Sequence, residues 1–310
     1  MNAISNAPLV SVLMPAYNSE KYIAQSIQSI LNQTFTDFEL CIINDGSTDG
    51  TSAVIDSFDD PRIIKTHRAQ NCGLVATRNA LIDQARGKYI AYLDNDDVAF
   101  PDRLQKQFIF LEAGTADICS GAYQTFNEET GERKNSKEPY SDADIKALIT
   151  VYCPLCNPAV MGRAEIFKRF KYHPGNDHAE DYSLWQEIAL AGYRMANLKD
   201  KLITYRIHPK QISRVANASA AEIFDRCRKD YVHGLNINPD LCPRKMSFLE
   251  RWKKAPNFLF ALNRRIKGVS FSANYQIYSR FQYRGNGIWT PLTRLERLLA
   301  CILAGVVSLF

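Results

Sequence analysis

Four consecutive positions gather the most chemically loaded side chains of the chain. Asp94, Asn95, Asp96 and Asp97 put three carboxylates within four residues, and such charges repel one another unless a cation or a basic group sits among them. Oxygen donors favour a hard ion, Mn2+ or Mg2+, which typically bridges one or two protein carboxylates to substrate phosphates. The competing reading is a solvated acidic turn ahead of the helix that begins at Pro101. The apolar run Lys88-Tyr-Ile-Ala-Tyr-Leu93 directly before the carboxylates tips the balance to a metal, because an open parallel sheet binds its ligands beyond the carboxyl ends of its strands. Two further polar stretches, Pro15-Ala-Tyr-Asn18 and Asn44-Asp-Gly-Ser-Thr-Asp49, also follow apolar runs. No G-x-G-x-x-G turn follows the first run and no P-loop occurs, which disfavours dinucleotide and P-loop chemistry.

The elements that must hold these loops are legible as strand-then-helix units. Strands are predicted at 9–14, 38–43, 62–66 and 88–93, with helices over 20–32 behind Ser19 as N-cap, near 50–57, and over 74–86. Short apolar runs alternating with helical periodicity predict an α/β fold with a doubly wound, mostly parallel sheet. Beyond residue 100 the rhythm changes. The pattern predicts a helix from Pro101, a strand over 117–126, a polar loop at 127–140, a helix at 141–150, a strand near 158–161 and a helix over 181–191.

Composition narrows the classes. The 310 residues are 46% hydrophobic, enough for a substantial core, and the formal charge is only +5. That charge is unevenly placed: Arg244 to Arg297 holds twelve Lys and Arg against two acids, a net of +10, leaving −5 for the rest. Aromatic residues, among them Phe248, Trp252, Phe258 and Phe271, are interleaved with the cations, and Leu298 to Phe310 carries no charge. Such a segment either lies on an anionic lipid surface or packs on the preceding domain with a basic solvated face. Nucleic acid is not expected, since no recognised module accompanies the basic residues. The division expected is 1–235 for a catalytic domain and 236–310 for a basic helical extension. Eight scattered cysteines, with Cys153 and Cys156 the nearest to a motif, predict reduced thiols. The N-terminus lacks a basic segment followed by a long apolar stretch, so a cytoplasmic location is expected, peripheral on the inner membrane face if the tail binds lipid.

An ordered set of short motifs then carries a resemblance. Pro15-Ala-Tyr-Asn18 with Glu20, Asn44 to Asp49, Asn71-x-Gly73 with Ala76-x-Arg78-Asn79, Gly87 to Ile90, Leu93 to Asp97, Glu180-Asp181, and Tyr205-Arg-x-His208-x-x-Gln211-x-Ser213 resemble the family 2 glycosyltransferases of GT-A fold. The match runs in order over about residues 8–213. The resemblance implies a nucleotide diphosphate sugar donor, usually a UDP-sugar, a divalent metal, and inversion at the anomeric centre. It makes Pro15, Tyr17, Asn18 and Glu20 a first nucleotide-binding loop and Asp45 the residue that holds uracil or ribose. Asn71, Gly73 and Asn95 belong to the same donor site, and Arg78 lies near the diphosphate. Asp96 binds metal, Asp94 contacts ribose or a metal-bound water, Asp97 is a further carboxylate of unassigned share, and His208 is a supplementary ligand. Inversion needs a base opposite the leaving group. Asp181 is the choice, with Glu180 in support. The acceptor expected is a glycan or a lipid-linked molecule in cell-surface polysaccharide assembly.

Two alternatives belong to other classes. A sugar nucleotidyltransferase requires a Gly-rich, Arg/Lys-containing loop after the first strand, where Pro15-Ala-Tyr-Asn18 stands instead. A non-catalytic nucleotide-sugar-binding protein would keep the nucleotide loops without the base, and Asp181 and His208 argue against it.

Overall fold

The computed structural model describes residues 7–209, 211, 218–241, 248–280, 283–284, 288–289 and 294–307. Ser213 and Cys242 lie outside the described residues, as do the side chains of Phe248 and Trp252.

Strand β1 (Val10–Ala16), helix α1 (Ile23–Leu31), β2 (Phe38–Asn44), α2 (Thr51–Asp56), β3 (Ile63–His67), α3 (Leu74–Gln84) and β4 (Tyr89–Tyr92) form the first half. These four strands pair in parallel in the order β3-β2-β1-β4. Every residue of β1, β2 and β4 is buried, which explains their near-continuous apolar runs. Alternation decides what each side chain meets. Val10, Val12 and Met14 join Ile23, Ile27 and Ile30 of α1 in one core, while Leu13, between them, joins Leu81 and Ile82 of α3 in the other. The sheet therefore has helices on both faces.

The second half is mixed. It contains β5 (Val98–Ala99), α4 (Arg103–Glu112), β6 (Ile118–Asn127), β7 (Arg133–Asn135), α5 (Asp142–Leu148), β8 (Met161–Arg163), α6 (Ala164–Arg169), α7 (Glu180–Leu190) and β9 (Met195–Ile207). The sheet continues β4-β8-β6-β9-β5, with β7 paired to β6. β8 runs antiparallel to both neighbours and β6–β9 is parallel with a register shift at Gly121 and Ala122. The first four strands are thus parallel as the sequence predicts, and antiparallel pairs enter only beyond β4. Residues 157–159 form a 3-10 turn and the strand predicted near 158–161 starts at Met161. Pro158 cannot donate to a ladder, so pairing begins after it.

Helices α8 (Ala218–Gly234), α9 (Phe248–Arg265) and α10 (Phe271–Arg280), the short strands β10 (Tyr283–Arg284) and β11 (Ile288–Trp289), and α11 (Arg294–Val307) complete the described chain. A third apolar cluster joins Ala147 and Leu148 of α5 to Val232, Phe258, Leu262, Ile277 and Val307. Helices α9, α10 and α11 therefore pack against α5 and the end of α8 in this cluster.

Candidate active site

The loops that follow β1, β2 and β4 meet at one edge of the sheet. Asn18 takes a left-handed conformation, φ 47°, tolerated by its short polar side chain. From there its Oδ1 accepts the Thr48 amide at 2.8 Å and its own N–H donates to Ser47 Oγ at 2.9 Å. Glu20 Oε2 accepts the Gly50 amide at 2.6 Å, and Glu20 N donates to Asp49 at 3.2 Å. These bonds bend residues 17–22 toward the start of α2, so α1 begins at Ile23 rather than at residue 20. Ser19 contributes its carbonyl to the amides of Tyr22 and Ile23, and its buried hydroxyl has no partner among the described residues. Pro15 lies inside β1, where its carbonyl accepts Asn95 Nδ2 at 2.9 Å, and Tyr17 stays 46% exposed at the rim.

Asp45 is only 3% exposed. Its carboxylate accepts Arg68 Nη1 at 2.9 Å, the Cys72 amide at 3.1 Å and the Gly73 amide at 3.0 Å. It thereby folds residues 68–73 back over the end of β2, an architectural task that its sequence context did not disclose. Asn71 Oδ1 also accepts the Gly73 amide, at 2.8 Å, and Gly73, at φ 90°, opens α3 with free space beside its Cα. Gly46 is the residue that lets these two loops touch. It sits at φ 68°, and a Cβ there would stand 2.4 Å from the Gln70 carbonyl carbon. Gly46→Ala is expected to cost roughly 2 kcal/mol or more. An unchanged urea midpoint would refute that packing.

The carboxylates after β4 point in different directions. Asp94 and Asp96 retain 30% and 17% side-chain exposure, whereas Asp97 is 0% exposed. Asp96 Oδ2 lies 3.0 Å from His208 Nε2, just past the end of β9, and the His208 ring packs 4.7 Å from that of Tyr22. Asp97 Oδ1 accepts the Arg206 amide at 2.8 Å, and Oδ2 has no partner among the described residues. Burial, reinforced by Asp96 and Asp94, pushes the Asp97 carboxyl well above the usual carboxylate range. The spacing that groups Asp97 with its neighbours thus conceals that it faces the interior and fastens β9. Arg206 completes the seam, donating from Nε to the Asp96 carbonyl at 2.9 Å and from Nη2 to Gln25 at 2.7 Å. Behind it Arg103, fully buried, donates to the Tyr92 carbonyl at 2.6 Å, and burial lowers its pKa to about 10. Arg206 belongs to the Tyr205-Arg-x-His208 motif, whereas Arg103 belongs to no motif read from the sequence.

Among the described residues no three His, Cys, Asp or Glu side chains converge on one point. Asp96 and His208, side by side, supply an oxygen and a nitrogen donor, a pair that fits Mn2+ or Mg2+ completed by phosphate oxygens and water.

The acidic pair opens α7. Glu180 is 7% exposed and accepts Arg78 Nη1 at 2.6 Å. Arg78 Nη2 reaches Asp94 Oδ1 at 3.5 Å, and the guanidinium carbon lies 5.2 Å from the centroid of the Tyr172 ring. Arg78, expected beside a diphosphate, links the start of α7 to the carboxylates after β4. Burial works against its charge, and Tyr172, Asp94, Glu180 and Asp181 more than offset that, so its pKa lies above the usual arginine value. Asp181 is half-buried, with Oδ1 accepting the Tyr182 amide at 2.6 Å. Burial first, then repulsion from Glu180, raises its carboxyl to about 6 against the pull of Arg78 and that amide. A carboxylate poised near neutrality is suited to accept a proton. Cys153 and Cys156 are free half-buried thiols, held well above their ordinary range chiefly by burial, and offer no exchange chemistry.

Comparison with known proteins agrees with this architecture. Residues 11–173 match Glycosyl transferase family 2. A glycosyltransferase of Haemophilus influenzae is 33% identical over 242 residues, covering 74% of this chain and 75% of the relative. The O-antigen biosynthesis glycosyltransferase WbnJ of Escherichia coli is 29% identical, covering 68% and 84% respectively. Among solved structures, S. aureus TarS residues 1–349 in complex with UDP-GlcNAc superposes with a TM-score of 0.62 at 19% identity, covering 96% of this chain and 90% of that one. With the family matched over more than half of the chain and a 33% identical relative covered over three quarters of its length, the chain belongs to the family 2 glycosyltransferases.

Proposed function

We propose that the protein moves a sugar, with inversion, from a nucleotide diphosphate sugar of the UDP class to a hydroxyl of a glycan or lipid-linked acceptor in cell-surface polysaccharide assembly. The observation that carries this reading is the strap Asp94–Arg78–Glu180, which ties a carboxyl raised to about 6, Asp181, to the polar end of the sheet. Pro15, Tyr17, Asn18, Glu20, Asp45, Asn71 and Gly73 shape the nucleotide pocket, with Tyr17 at its rim. Asp94 and Asn95 close it from beneath. Asp181 takes the proton of the attacking hydroxyl as the new glycosidic bond forms and the diphosphate departs with its electron pair. Glu180, held by Arg78, keeps α7 in place. A divalent cation on Asp96 and His208, Mn2+ or Mg2+, would neutralise charge developing on the leaving diphosphate. The chain divides near residue 235 into a catalytic domain and a helical extension, and works in the cytoplasm against the inner face of the membrane. The +10 segment and the polysaccharide role named for WbnJ support that location.

A UDP-release assay over a panel of nucleotide sugars tests the reaction; silence across the panel with acceptors present would sink it. Asp96→Ala is expected to abolish the metal-dependent part of UDP binding, measured by calorimetry with and without Mn2+. Equal affinities in both conditions for the native chain would remove Asp96 and His208 from metal binding.

A further inference from the structure

Over residues 300–307 helix α11 has two apolar faces and buries one. Ala300, Ala304 and Val307 are 0% exposed, and Ala300 and Val307 pack in the cluster with α9 and α10. On the other face Ile302 is 55% and Val306 44% exposed, with Cys301 exposed beside them. Phe271, opening α10, is 46% exposed, and its Cε2 would stand 4.0 Å from a Cβ built on Gly305. Ile302 and Val306 are one helical turn apart and flank that glycine, so the three side chains make one apolar patch. The remaining large exposed apolar residues, such as Ile109 and Leu190, lie on other elements.

The patch has a basic margin. Arg264, Arg265 and Lys267 are exposed around the turn that leads into Phe271. No acidic residue occurs between Glu250 and Glu296. No described helix is long and apolar enough to cross a membrane. A water-facing apolar patch bordered by cations fits a surface that is apolar beneath and anionic above. A symmetric contact with a second copy would instead bring two such basic margins together.

We propose that Phe271, Ile302 and Val306, with Arg264, Arg265 and Lys267, form the surface by which the protein docks on an anionic lipid bilayer, α11 lying in the headgroup plane. This rests on the peripheral location proposed above and names the residues that carry it.

Flotation of the full-length protein tests it, using vesicles of phosphatidylglycerol and phosphatidylcholine against phosphatidylcholine alone. Binding is expected only to the anionic vesicles and to weaken in high salt. Ile302→Asp with Val306→Asp should lower partition at least tenfold, and Arg264→Gln with Arg265→Gln roughly tenfold, while donor hydrolysis stays at the native rate. Undiminished partition of the Ile302 and Val306 variant overturns the assignment. So does a native dimer that becomes monomeric in that variant without any vesicle binding, since the patch is then an interface between copies. Sugar transfer to a lipid-linked acceptor by a chain that fails to float would end the docking proposal and leave the acceptor reading standing. Flotation without such transfer would do the reverse.

Discussion

Asp181→Asn is expected to lower kcat by about 10²–10⁴, the range a lost general base produces, while UDP binding stays close to native. The substitution keeps the shape of the side chain and an oxygen for the Tyr182 amide; what it removes is the ability to take a proton. The native enzyme should also show an acid limb centred near pH 6, where the Asp181 carboxyl gains its proton. Stability should move the other way. A carboxyl whose pKa is raised on folding contributes stability below its unfolded value, about 3.9, and that contribution is lost as pH rises through the folded value, about 6. Above pH 6 the native chain therefore carries a buried charge that asparagine avoids. Asp181→Asn should melt higher than native at pH 7, by on the order of 1–3 kcal/mol, and with little difference at pH 4. Unchanged turnover would take Asp181 out of the mechanism. A variant that melts lower at pH 7 would show that the carboxylate is not strained by its surroundings.

Arg78→Met should be the most destabilising single change in the site. Arg78 is 6% exposed and is the cation between Glu180, at 2.6 Å, and Asp94, at 3.5 Å. Removing it leaves Glu180 buried and Asp94 half-buried without their counter-charge, a loss of about 3 kcal/mol. Methionine fills most of the volume, so the cost is electrostatic rather than a cavity. The same removal takes away a charge that holds the Asp181 carboxyl down, so the acid limb of the pH–rate profile should shift above pH 6. Arg78→Lys keeps one charge and loses the fork, and should fall between the two. Urea unfolding and a kcat–pH profile check both halves. A profile that does not move would confine Arg78 to holding the fold.

The parallel half of the sheet could be read from the chain because both faces of β1, β2 and β4 are buried and their sequences are correspondingly apolar. The polar loops beyond them were legible for the same reason: a carboxylate run after a buried strand is conspicuous. β9 was not. Lys199, Asp200 and Lys201 are exposed in its middle and break the alternation that marks a half-buried strand. Direction was also hidden. Asp96 and Asp97 look alike as letters, yet one meets His208 and the other the Arg206 amide inside the sheet. Arg78 was recognisable as a motif residue, but its placement depends on Glu180, 102 positions away. Pairings of that separation come from topology, to which local periodicity is blind.

The attachment of β9 to the carboxylate loop sets when the site can exist. The loops after β1, β2 and β4 are complete by Asp97, but the amide that orders Asp97 belongs to Arg206 and the ring beside Asp96 to His208, separations of 109 and 112 residues. Closing so long a loop is entropically costly and slow. During synthesis Asp96 and Asp97 therefore wait for more than a hundred residues for these partners. A chain interrupted before Met195 would keep the partners of Asp45 and of Arg78 but lack those of Asp96 and Asp97.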